Sequence, residues 1–137
     1  MALSHLLDTS VLTHLAESSV RQVIEPLASV GRAARAGISD LEIGLTVRNA
    51  DEWDRLMTAL EVFVLVETTA RHLQRARQVQ RILASQSQRG RKIPDLLVAA
   101  AAEAVGLTVL HYDTDFDLIA TVTGQRCEWI VPAGSID

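Results

Sequence analysis

The chain has a single cysteine, Cys127, among 137 residues. An internal disulfide is therefore excluded, as is a thiolate metal cage built within one chain. A lone cysteine is expected to pack as a small apolar residue in a reducing compartment. Long hydrophobic runs are also missing: the longest, Leu96 to Ala102, falls far short of the ~20 residues a membrane span requires. No basic stretch precedes an apolar one near the N-terminus, so no signal peptide is read there. Internal repeats, low-complexity tracts, helix-turn-helix and zinc-finger signatures are all lacking, and direct DNA binding is not assigned to the chain. The net charge of −4 argues against reliance on bulk positive charge to hold a polyanion, but not against local basic patches. These absences leave a cytoplasmic domain with no membrane role as the expectation.

What is present is ordinary for such a domain. Apolar residues make up 48% and charged residues 22% of a chain long enough for one core and too short for two, so 1–137 reads as a single domain. Leu3–Leu7 reads as a first strand ending at Asp8, followed by helices over 10–16 and 20–30, the second closed by Gly31. Ala36–Ile38 reads as a second strand. Ser39 begins a helix through about Arg48, and Asp51 another through about Leu60. The β-branched run Val62–Val66 suggests a third strand. The spacing of Leu73, Ala76, Val79, Ile82 and Leu83 predicts a long helix over about 69–87. Pro94 suits the first turn of a helix that runs to Val105 and stops at Gly106. Leu107–Tyr112 then reads as a fourth strand and Glu128–Val131 as a fifth. Alternation of strands and helices, with near-continuously apolar strands, predicts an α/β fold with a mostly parallel sheet of four to five strands covered on both faces.

In such sheets ligands bind beyond the carboxyl ends of the strands, where strand order reverses. Acids are expected at that edge. Asp8 closes the first strand; Asp113, Asp115 and Asp117 follow the fourth; Asp95 opens a helix after Pro94; Glu42 lies in the first turn of the helix begun by Ser39. Converging carboxylates repel one another unless a positive charge sits among them, and hard cations such as Mg²⁺ or Mn²⁺ suit an all-oxygen set. That chemistry supports phosphodiester hydrolysis without a protein nucleophile. Each acid also has a structural alternative. Ser39-x-x-Glu42 fits a capping box, Asp95 favours a helix N-terminus, the Asp113–Asp117 acids suit a turn, and Asp8 suits a turn or cap.

Taken together, Leu7-Asp8-Thr9-Ser10, Ser39-Asp40-Leu41-Glu42, Ile93-Pro94-Asp95-Leu96 and His111-Tyr112-Asp113-Thr114-Asp115-Phe116 resemble the PIN domain in order and spacing. They are most similar to the VapC toxins of bacterial toxin–antitoxin pairs. The resemblance covers essentially the whole chain and implies a PIN-like three-layer α/β/α fold and a metal-dependent ribonuclease. It places the family's catalytic acids on Asp8, Glu42, Asp95 and Asp113. It implies that Asp8, Asp95 and Asp113, with Asp115 beside them, hold Mg²⁺ or Mn²⁺, while Thr9 and Ser10 steady metal waters or backbone. It further implies an RNA substrate, a homodimer, and inhibition by a cognate VapB-like antitoxin. His111 departs from the pattern, standing where many members have threonine or serine; it either contacts phosphate or finishes a strand.

Seven of the 13 Lys and Arg residues lie between Arg71 and Lys92. Arginine suits phosphate through its planar fork. Arg89, Arg91 and Lys92, just ahead of Asp95, are the expected RNA contacts, whereas Arg71, Arg75 and Arg81 also fit a solvated helix face. Trp53 and Trp129 are expected in the core rather than at an interface. A haloacid-dehalogenase-like phosphatase would need a second aspartate two residues after Asp8, where Ser10 stands. A non-catalytic PIN-type module that only binds RNA or protein is the other alternative; its mark would be loss of one of the four acids, and all four are present.

Overall fold

The computed structural model describes residues 2–137. Strands β1 (His5–Leu7), β2 (Ala33–Ala36), β3 (Val64–Val66), β4 (Thr108–His111) and β5 (Cys127–Trp129) form one sheet in the order β3-β2-β1-β4-β5. All four pairings are parallel. Parallel strands need crossovers, which the helices supply: α1 (Thr9–Leu12), α2 (Ser18–Ser29), α3 (Gly37–Gly44), α4 (Ala50–Leu60), α5 (Ala70–Ser85), α6 (Ile93–Ala104) and α7 (Asp115–Thr123).

The pleat divides the interior in two. Leu6 and Val109 point into one core with Val79, Leu83, Val98 and Phe116; their neighbours Leu7 and Leu110 point into the other with Val11, Val20, Ile24 and Phe63. This alternation gives three layers, the α/β/α arrangement expected. Leu6, Leu7 and Phe116 are fully buried, each contributing roughly 1.5–3 kcal/mol by removal of apolar surface from water. Gly106, at φ 70°, turns the chain out of α6 into β4 as expected. Among the described residues, no helix is long and apolar enough to cross a membrane. Cys127 is half-buried in β5, and burial, aided by the Asp117 charge, pushes its thiol up to about 11.

Three local expectations are corrected. The second strand is Ala33–Ala36, not 36–38, and Gly37 already begins α3. Three alanines and an arginine carry little strand propensity; the sheet accepts them because the strand is buried along its whole length. Ser39 is consequently the third residue of α3 and does not cap it, so the 39–42 capping box does not form. The capping box that does form joins Thr69 to His72 at the start of α5. Finally, Asp115 and Asp117 are not in a loop: they make the acidic first turn of α7, which ends at Gly124.

Candidate active site

Chain order runs outward from β1 to β2 and β3, then returns to place β4 and β5 on the other side. The strand order therefore reverses between β1 and β4, and the acids gather beyond the carboxyl ends of these two strands. Asp8 follows β1 directly; its backbone N–H donates to Leu110 O at 2.9 Å and its side chain caps α1 through the Ser10 N–H. The Ser10 hydroxyl donates to Asp8 Oδ2 at 2.6 Å and accepts from the Tyr112 N–H at 2.9 Å, so one side chain ties the ends of the two strands together. Asp8 Oδ1 is buried without a hydrogen-bond partner. Burial raises the Asp8 carboxyl above its ordinary range, and the bonds from Ser10 only partly offset this.

Asp95 sits in the first turn of α6, which Pro94 opens. Asp113 and Asp115 follow β4, with the Asp115 N–H donating to Asp113 Oδ1 at 2.9 Å. One carboxylate oxygen from each of Asp95, Asp113 and Asp115 lies within 4.8 Å of the others. Asp95 is pushed up to about 9 by burial first, then by the charges of Asp8 and Asp113. Burial would also raise Asp113, but the Lys92 amine and the Asp115 N–H outweigh it and hold that carboxyl below its usual range. Asp8 is outside this tight group of three and reaches Asp95 through its charge.

Two cations of the connection before α6 lean onto the cluster. Lys92 Nζ lies 2.5 Å from Asp113 Oδ2 and 3.8 Å from Asp95 Oδ2; Arg91 Nη1 lies 2.8 Å from Asp115 Oδ1. Asp95 Oδ2 nevertheless keeps no hydrogen bond. Arg91 and Lys92, expected to face RNA, are turned onto the acids; Arg89 alone of the three stays clear of them. One signal for this was available. A lysine in the N-cap position has the wrong charge for a helix N-terminus, so its place there asks for anionic neighbours.

Glu42 is brought to the same edge by α3. Thr9 Oγ1 donates to Glu42 Oε1 at 2.6 Å and lies 2.8 Å from Ser39 Oγ. Ser39, read as a cap, is instead fully buried and part of this chain of hydroxyls. His111 is also fully buried, stacked on Phe116 with ring centroids 4.9 Å apart. Its Nδ1 accepts the Asp113 N–H at 3.2 Å, which restrains the backbone of an acid of the cluster, and burial lowers its affinity for a proton. It thus backs the site from within the core rather than touching phosphate. Asp117 is not in the cluster; both its oxygens receive the Trp129 indole N–H, at 3.2 and 3.3 Å. Trp53 is exposed, not core, although its indole closes over Gly44 so tightly that a Cβ there would meet Nε1 at 2.9 Å.

The donor set and its orphans fit a hard divalent cation. Three carboxylates converge, two buried carboxylate oxygens (Asp8 Oδ1 and Asp95 Oδ2) lack partners, and burial, reinforced by the charges of Asp8 and Asp113, makes the Asp95 carboxylate costly to keep charged without a cation. Fold and site together define a class: residues 5–122 match the PIN domain, and the chain belongs to that family. Among curated proteins it is 63% identical to ribonuclease VapC51 of Mycobacterium tuberculosis (strain ATCC 25618 / H37Rv) over 137 residues, all of both chains. Ribonuclease VapC18 of the same strain is 40% identical over 135 residues, 94% of this chain and 96% of that one. Within the PIN domains it therefore stands with the VapC type. The fold is shared with the crystal structure of DNA-bound VapBC from Salmonella typhimurium (TM-score 0.76, 18% identity, 94% of this chain and 99% of that one). It is shared too with a toxin–antitoxin complex from Klebsiella pneumoniae (TM-score 0.72, 21% identity, 93% and 98%).

Proposed function

We propose that this chain is a VapC-type ribonuclease toxin that hydrolyses RNA phosphodiester bonds at the edge where Asp8, Glu42, Asp95, Asp113 and Asp115 meet. The observation that carries this reading is the convergence of Asp95, Asp113 and Asp115 within 4.8 Å, with Asp95 Oδ2 left without a hydrogen bond. Asp8, Asp95, Asp113 and Asp115 would hold Mg²⁺ or Mn²⁺. When bound, such a cation supplies charge to the phosphate and acidifies a water for attack.

The chain's own residues do the rest. Ser10 holds Asp8 at one oxygen and leaves the other free to ligate. Thr9 fixes Glu42 through Oε1, so that this carboxylate can take a proton from water at the site. His111 and the Asp115 N–H keep Asp113 in place. Arg89, Arg91 and Lys92 rim the acids and would meet the RNA phosphates, the last two after leaving their carboxylates. Residues 1–137 form one such domain. The names of its relatives and the VapBC complexes of the same fold support a VapB-like protein antitoxin as partner, and the working unit would be a homodimer in the cytoplasm, with DNA binding left to the antitoxin.

The test is cleavage of total RNA by the purified, partner-free protein with Mg²⁺, with Mn²⁺ and with EDTA, run beside Asp8→Asn. Discrete cleavage that needs the metal and vanishes in the variant is the expected result. Equal cleavage by both proteins would sink the site assignment. No cleavage by well-folded protein under any metal would leave a binding module.

A further inference from the structure

Charge is divided very unevenly along this chain. Between Thr68 and Pro94 there are seven of its thirteen cations and none of its seventeen acids. The net charge of −4 is thus the sum of +7 in this segment and −11 in the remainder. Most of the segment is α5 and the connection to α6. Three of its cations are neutralised locally: Arg75 by Glu103 on α6, Arg91 by Asp115 and Lys92 by Asp113. The other four, Arg71, Arg77, Arg81 and Arg89, are exposed and have no ion-pair partner among the described residues, a condition that outside this segment only Arg55 shares.

The helix decides where these charges go. His72, Ala76, Val79 and Leu83 are the buried face of α5. At about 100° per residue, Arg81 and Gln74 project from the opposite side, with Arg77 on one flank and Gln78 and Arg71 on the other; Arg71, Gln74 and Arg77 line one shallow surface. Arg71 and Arg81, ten positions apart, are separated by about 15 Å along the helix axis. Gln74, Arg77, Gln78, Arg81 and Ala84 line an open furrow, and Ala84 also lines the next one, with Gln88, Arg89 and Arg91. Arg91 touches the acid cluster. A continuous path of cations and amide side chains therefore runs along α5 and ends at the proposed active edge.

We infer that the outer face of α5 is a track for the phosphate backbone of RNA, which Arg71, Arg77 and Arg81 hold away from the cleavage site while Arg89 leads it in. This rests on the ribonuclease reading for the identity of the polyanion. The physical reasons are specific. Four unneutralised arginines on an otherwise acidic chain repel one another unless an anion joins them. Guanidinium forks suit phosphate oxygens, and glutamine amides can donate to the same backbone. An acidic site repels RNA, so a chain of net negative charge needs an anchor set apart from its acids.

The test compares wild type with the triple variant Arg71→Ser/Arg77→Ser/Arg81→Ser, none of them buried or ion-paired. The probe is a fluorescent single-stranded RNA of about 30 nucleotides, bound in EDTA over a range of salt. The triple variant is expected to bind at least tenfold more weakly, and the slope of log affinity against log salt should fall by about 2, close to 0.7 per lost charge on a single strand. Charge-conserving Arg→Lys replacements at the same positions should keep the slope. Cleavage of a very short RNA in Mg²⁺ should be unchanged by the triple variant. Unchanged affinity and slope for the 30-mer would overturn the track, as would an equal loss in the lysine variant. The two readings fail separately: a protein that cleaves no RNA but loses slope in the variant keeps the track and loses the nuclease, whereas one that cleaves and shows no change keeps the nuclease alone.

Discussion

Two buried polar sites lie on either side of β1, and they are built on opposite principles. On the β2 side, Arg35 is 7% exposed in the middle of a strand. Its Nε and Nη2 donate to the two oxygens of Asp40, at 2.8 and 3.2 Å, and its Nη1 donates to the carbonyls of Leu60 and Phe63. The guanidinium thus joins β2, α3, the end of α4 and the turn before β3, and no buried side-chain atom of Arg35 or Asp40 lacks a partner. On the β4 side, four of the five buried side-chain atoms without a partner among the described residues belong to Asp8, Asp95, Arg91 and His111. Burial of polar groups is tolerated when they are satisfied and costly when they are not. A satisfied pair serves the fold, while a group of acids with unpartnered buried oxygens carries a cost that a bound cation would remove.

Substitutions can sharpen this contrast. The largest effect is expected for Asp95→Asn, which should lower RNA cleavage by at least about a thousandfold, the several kcal/mol that a misplaced cation withdraws from phosphoryl transfer. Circular dichroism should show the fold intact. Arg35→Met should do the reverse. Removing one partner of a buried pair costs about 3 kcal/mol, visible in urea unfolding, while cleavage per folded molecule stays near wild type. If Arg35→Met abolished cleavage without loss of stability, the division into a structural and a functional site would collapse.

A smaller effect concerns pH in EDTA. Folding raises the Asp95 carboxyl from its ordinary value near 4 to about 9. Its contribution to stability is therefore fully present below pH 4 and is lost as pH rises toward 9. Asp95→Asn removes that loss, so in thermal melts at pH 8 the variant should melt several degrees higher than wild type and vary less with pH. A lower melting point in EDTA would show that Asp95 is not strained by its neighbours. Smallest is the effect of Lys92→Met, which deletes a cation held 2.5 Å from Asp113. Mn²⁺ binding measured by calorimetry should tighten about tenfold, a shift worth about 1.4 kcal/mol; weaker binding would make Lys92 a support rather than a competitor.

Different features of this molecule were legible in the sequence to different degrees. Asp8 and Asp113 were readable as acids that end apolar runs, and the parallel sheet followed from strands without polar alternation. Arg35 was invisible as a strand residue because its burial depends on Asp40 and on two carbonyls more than twenty residues away. Helix α7 escaped notice because its first turn carries two aspartates, which read equally well as a turn. Pairing of Arg91 and Lys92 with Asp115 and Asp113 joins residues 24 and 21 positions apart, a proximity that only the packing of α6 beside β4 creates.

Lys92 is also the chain's only lysine. Every other side-chain cation that is permanently charged is a guanidinium, so an amine-directed reagent meets one ε-amine in the protein, and that amine stands at the mouth of the acid cluster, 59% exposed. Apart from the terminal α-amine, acylation would therefore add a single mass increment at a single functional position. Its rate becomes a direct gauge of the site: faster when a divalent cation releases the amine from Asp113, slower when another molecule covers the edge.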